Sequence, residues 1–137
     1  MKAAVPTLAV LAALVFAGCG AQASDDSSVD TFRGEERNVA QKVEDLQDAG
    51  ESRKPEDICA DILAASLVDE LEEAGSDCQQ EMRKAIDDAD DFDLEVLDVN
   101  VTGTTATARV RRGEDGPTET MQFTQERDEW RATALSG

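Results

Sequence analysis

The spacing of apolar residues changes period once along this chain, after Phe92, and that change restricts the fold more than any other feature. Before it the period is helical. Val39, Ala40, Val43 and Leu46 repeat at i, i+4 and i+7, with Glu35 and Glu36 at the start and Gly50 just past the end, which predicts a short amphipathic helix over 35–49. Pro55 suits the first turn of a second helix carrying Ile58, Cys59, Ile62 and Leu63, which continues for a turn or two through Leu67, Val68 and Leu71 to Gly75. Ser76-Asp77-Cys78-Gln79 has the spacing of a capping box and starts a third main helix with Met82, Ala85 and Ile86 on one face.

After Phe92 the period is two. The segment DLEVLDVNV at 93–101, a Thr102-Gly103 turn, then TATARVRR predict a hairpin, because Ala106, Ala108 and Val110 alternate with Thr107, Arg109 and Arg111. Gly113 to Pro117 turns the chain into TETMQFTQ, where Met121 and Phe123 share a face. Arg127-Asp128 turns it again into EWRATAL, where Trp130, Ala132 and Ala134 share another. Four successive strands imply an antiparallel meander with one apolar face, and the helices before it are the available cover. The expected fold class is α+β, helices first and then the sheet they pack on.

The N-terminus is of a different kind. Lys2 is followed by an apolar stretch from Ala3 to Ala17, of signal-peptide length and shorter than the about 20 residues a spanning helix needs. Phe16-Ala17-Gly18-Cys19 resembles the lipobox of bacterial lipoproteins, with Phe16 where Leu, Val or Ile is more usual. That resemblance implies cleavage before Cys19, diacylglycerol on its sulfur, and anchoring to the lipid bilayer on the outer side of the cytoplasmic membrane. The alternative is ordinary secretion, with a cut after Ala23 in the A-x-A segment Ala21-Gln22-Ala23. The expected organisation is a signal peptide at 1–18, a lipidated cysteine and acidic tether at 19–33, and one α+β domain at 34–137. As a flexible coil such a tether would hold the domain on the order of 20 Å from the lipid.

Either cut leaves Cys59 and Cys78 as the remaining candidates for a disulfide. In an oxidising compartment a single pair has one intramolecular partner choice; the alternative is two buried thiols. Their spacing is not CxxC, so the expected role is a clamp on the helical layer rather than a redox site. Two cysteines with no histidine make a poor zinc site.

With 31 acidic and 13 basic side chains the net charge is −18, which sets nucleic acid aside as a partner. His and Tyr are both absent, removing the commonest general base and the phenol that often supports an oxyanion. No catalytic motif, cofactor motif or metal-ligand spacing is present. The acid run from Asp87 to Glu95 fails as an EF-hand loop: counted from Asp88, the fifth position is Phe92, the sixth Asp93 and the twelfth Val99. Arg109, Arg111 and Arg112 form the basic cluster, with Glu119 as an expected partner across the sheet.

The order of elements resembles the nuclear transport factor 2-like (NTF2-like, cystatin-like) fold, in particular the small bacterial lipoproteins of actinobacterial type assigned to it. The segments carrying the resemblance are ICADIL at 58–63, GSDC at 75–78, LEVLDVNVTGTTATARV at 94–110 and EWRATAL at 129–135. It implies a curved four-stranded sheet wrapped around the helices as a cone, often with a pocket between them. Enzymes of that family place Asp, His or Tyr in the pocket; without His or Tyr the enzymatic role does not carry over, and no catalytic residue is assigned. Ala106, Ala108, Val110, Met121, Phe123, Trp130 and Ala132 are the expected filling of a small core or, alternatively, the lining of such a pocket. The functional expectation is a non-enzymatic lipoprotein binding a small apolar ligand or an envelope protein. The alternatives are an interaction lipoprotein with no pocket and, last, a carboxylate-based isomerase or hydrolase.

Overall fold

A computed structural model of the chain describes residues 28–134, so the signal-like segment, Cys19, the Ala23 cut and Leu135 lie outside the described residues. The element order is a 3-10 turn Ser28–Thr31, helix α1 Gly34–Glu51, a short helix α2 Pro55–Asp57 running into a π turn Ile58–Ile62, helix α3 Ala65–Glu73 and helix α4 Cys78–Asp88. Strands β1 Leu94–Thr102, β2 Thr105–Arg112, β3 Thr118–Glu126 and β4 Glu129–Ala134 follow. The sheet is an antiparallel meander in the order β1-β2-β3-β4. The class is therefore α+β, with helices on one face of an open four-stranded sheet.

The apolar stripe of α1 seals that face. Val39, Ala40 and Val43 are fully buried against the sheet, and Leu46 packs at the edge of the same cluster. Burying a valine side chain contributes about 1.5–3 kcal/mol, far more than the intrinsic helix propensity of this acidic segment. From β4, the Trp130 indole N–H donates to Glu35 Oε2 at 2.6 Å, which satisfies a buried donor and ties the last strand to the start of α1.

The structure corrects or adds to the sequence reading in four places. Residues 28–33 do not belong to a tether: Val29 is 1% exposed and Phe32 packs on the core, while Ser28 Oγ accepts from the Val96 N–H. The second helix is not continuous through Leu63. The Leu63 N–H donates to Ile58 O, an i+5 bond that makes the π turn, and the chain then extends so that Leu63 bridges Ala132 in parallel and the Ala64 N–H donates to Ala132 O at 2.8 Å. This single bridge is the strand-like stretch that periodicity in the helical half did not reveal. In β1, Val96 faces Val110 and Asp98 faces Arg109, leaving Leu97 as a bulge that is 37% exposed. The bulge switches parity, so that Val99 as well as Val96 enters the core; strict alternation would have buried Asp98 instead.

The last of the four places is α4. Its N-cap is Asp77, not Ser76: Asp77 Oδ1 accepts from the Gln80 N–H at 3.0 Å. Asp77→Ala removes this cap and is expected to cost about 1 kcal/mol. Urea titration of the purified protein measures it; no change would mean that α4 starts elsewhere in solution.

Cys59 in the π turn and Cys78 at the first residue of α4 form the disulfide. Cys78 is 5% exposed, so the clamp sits at the boundary of the core rather than on an outer loop.

Candidate functional site

The sheet's inner surface is not used evenly. At its middle, Phe123 on β3 stands between Ala106 on β2 and Ala132 on β4 in register, and all three are buried. The room that two alanines leave beside a large side chain is taken by that side chain. Ala108 and Trp130 are likewise buried core residues. Of the seven residues expected to line a pocket or fill the core, Ala106, Ala108, Phe123, Trp130 and Ala132 belong to the core and stay off the cavity wall described next; Val110 and Met121 reach it.

That cavity, about 180 Å³, lies where β2 ends and β3 begins, under the C-terminal turns of α1 and α4. Its walls are Leu46 and Gly50 from α1, Ile58 from the π turn, Met82, Ala85 and Ile86 from α4, Ala89 and Phe92 from the connection to β1, then Leu94, Val110 and Met121 from the sheet. Three polar residues stand at it: Asp91, Arg112 and Glu119. An apolar chamber with a few polar groups at its rim is the usual form of a small-molecule site. This one is small: a 150 Å³ chamber lined by Leu, Ile and Phe holds a benzene-sized molecule.

Local geometry explains why the chamber exists. A Cβ on Gly50 would lie 2.4 Å from Cδ1 of Phe92, so the absence of a side chain there lets the Phe92 ring lie against the last turn of α1 and form one wall. The loop carrying Phe92 is pinned at both sides. Asp91 Oδ1 accepts from the Asp93 N–H at 2.8 Å, and Asp93 O accepts from the Gly113 N–H at 2.8 Å. Gly113 has φ 71°, and Asp91 Oδ2 packs 3.1 Å from where its Cβ would be, so the backbone conformation favours glycine and a side chain there would press on Asp91. The acid run that fails as a calcium loop thus sets one carboxylate, Asp91, beside the chamber. Among the described residues no group of three or more acidic or cysteine side chains is placed to hold a metal ion.

The basic cluster divides. Arg112, rather than Arg109 or Arg111, pairs with Glu119, at 3.2 Å on the cavity rim. Arg111 pairs with Glu95 on the neighbouring strand, outside the cavity. Asp87 in the last turn of α4 pairs with Arg53 just beyond α1, at 2.8 Å, which brings the C-terminal ends of the two helices together. These pairs are half-exposed, and each contributes about 0–1 kcal/mol to stability; of them Arg112–Glu119 sets charge at the chamber itself.

Sequence periodicity missed the helical half of the wall. Met82, Ala85 and Ile86 read as a core stripe, Gly50 as a stop signal, and Phe92 as the place where the period changes. A glycine and a phenylalanine 42 positions apart carry no local signal that they will touch.

Among the described residues no helix is long and apolar enough to cross a membrane. Comparison with protein-family models, curated proteins and solved structures returns no match to this chain.

Proposed function

We propose that this chain is a bacterial lipoprotein, anchored through Cys19 on the outer side of the cytoplasmic membrane, whose NTF2-like domain holds a small apolar molecule without transforming it. The observation that carries the ligand reading is the apolar chamber between α1, α4 and the ends of β2 and β3. A chain without histidine or tyrosine, whose chamber offers Asp91, Glu119 and Arg112 as its polar groups, is better equipped to bind than to transfer protons. The lipobox-like Phe16-Ala17-Gly18-Cys19 supports the anchor, and the order of helices and strands supports the NTF2-like assignment.

Two measurements test this reading. Cys19→Ser is expected to move the protein from the membrane to the soluble fraction; retention on the membrane would refute lipidation. Native mass spectrometry of the protein taken from its host's membranes is expected to show an added mass, beyond the lipid, that is lost on denaturation. A bare lipidated protein would favour the interaction lipoprotein without a ligand.

A further inference from the structure

The chamber's charge surroundings are lopsided. Two helices, α1 and α4, end at it: Gly50 is the next-to-last residue of α1, and Ala85 and Ile86 lie in the last turn of α4. A helix C-terminus carries about half a negative charge, and a lysine or arginine in the last turn usually offsets it. Neither α1 nor α4 has a basic residue there. Of the cations near it, Arg53 pairs with Asp87, Lys54 with Asp57 and Arg112 with Glu119, while Arg83 and Lys84 are exposed on α4 and stay off the chamber wall. Asp91 stands on the rim, and it forms no ion pair among the described residues. Two helix ends and one unpaired carboxylate thus face an apolar chamber in a chain of net charge −18.

We infer, resting on the ligand reading above, that the chamber takes a small cationic amphiphile: an apolar ring or short chain inside, and a protonated amine at the rim beside Asp91 and Glu119. Size limits the apolar part. At the packing density of protein interiors, about 180 Å³ takes roughly eight non-hydrogen atoms. Charge limits the head. A carboxylate or phosphate would have to take Arg112 from Glu119 and stand next to two helix C-termini, whereas an ammonium group meets Asp91, a carboxylate with no ion pair to give up. Half-exposed partners predict a modest, salt-sensitive preference rather than a tight one.

Three probes sharing one phenylethyl body separate the head from the body: 2-phenylethylamine, ethylbenzene and 3-phenylpropionate, titrated into the full chain at low ionic strength and read by calorimetry. The amine is expected to bind about tenfold more tightly than the carboxylate. That gap should close in the Asp91→Asn/Glu119→Gln double variant and shrink in high salt. Ala85→Trp, at an exposed position on the chamber wall, is expected to abolish binding of the amine. If ethylbenzene binds while the amine is no tighter than the carboxylate, the chamber is a site but the cationic assignment is overturned. If none of the three binds, the ligand reading itself falls. Amine binding that survives Ala85→Trp would place it on the general acidic surface and overturn the inference.

Discussion

Phe123→Ala is expected to destabilise the protein by about 3–5 kcal/mol. Phe123 is 1% exposed and, with Trp130, one of the two large aromatic side chains buried in the core. Its register partners on both sides, Ala106 and Ala132, are themselves at the lower limit of side-chain size. Removing the ring therefore leaves a void with no bulky cross-strand neighbour to relax into it, and the cost should fall towards the upper end of that range. A domain has about 5–15 kcal/mol in total, so the loss is at least about a fifth of its stability. Its melting temperature should fall by roughly 15 °C or more. Urea titration with tryptophan fluorescence measures the effect, because Trp130 is buried in the same core. A loss below about 1 kcal/mol would mean that the sheet does not pack around Phe123.

Cys59→Ala/Cys78→Ala is the second. The bridge closes a separation of 19 residues, for which the chain-entropy account gives roughly 3 kcal/mol. Alanine is chosen because Cys78 is buried and a serine hydroxyl there would need a partner. The bridge also joins two walls of the chamber: Ile58 adjoins Cys59, and Cys78 begins the helix that carries Met82, Ala85 and Ile86. The double variant should therefore lose melting temperature by about 10 °C or more, and with it the binding of apolar probes at temperatures where the α4 turn has loosened. Melting with and without a reducing agent provides the parallel measurement on the unaltered chain. Equal melting temperatures in the two conditions, with mass mapping showing free thiols, would refute the clamp.

Local chemistry was legible where it is decided locally. Pro55 at a helix start, Gly75 after a helix end, the alternation in TATARVRR and the turn at Thr102-Gly103 each report a preference of a few adjacent residues, and the elements follow them. Legibility stopped where two equal local choices needed a distant partner. DLEVLDVNV carries apolar residues of both parities, and only pairing with β2 decides that Leu97 bulges outward. ICADIL reads as a helix, and only the edge of β4 pulls Leu63 and Ala64 out of it into a bridge. Val29 and Phe32 are too few to specify structure alone, yet they are buried because the sheet and α1 leave a place for them.

The chamber is the extreme case. Val110 and Met121 were visible as inward-facing strand residues, but so were Ala106, Ala108 and Phe123, and nothing in the pattern separates a wall from a filled core. What separates them is where α1 and α4 end relative to the sheet, and how the pinned loop at 91–93 holds Phe92 over Gly50.

By itself, then, the sequence determined the class, the order of elements, the acidic surface and the cysteine pair, because these depend on period, composition and a single available partner. The tertiary structure decided which inward-facing residues meet and which leave space, since packing is a property of side chains far apart in the chain. It also decided that the C-termini of α1 and α4 and the carboxylate of Asp91 meet at that space, because a helix dipole acts on whatever the fold brings to its terminus.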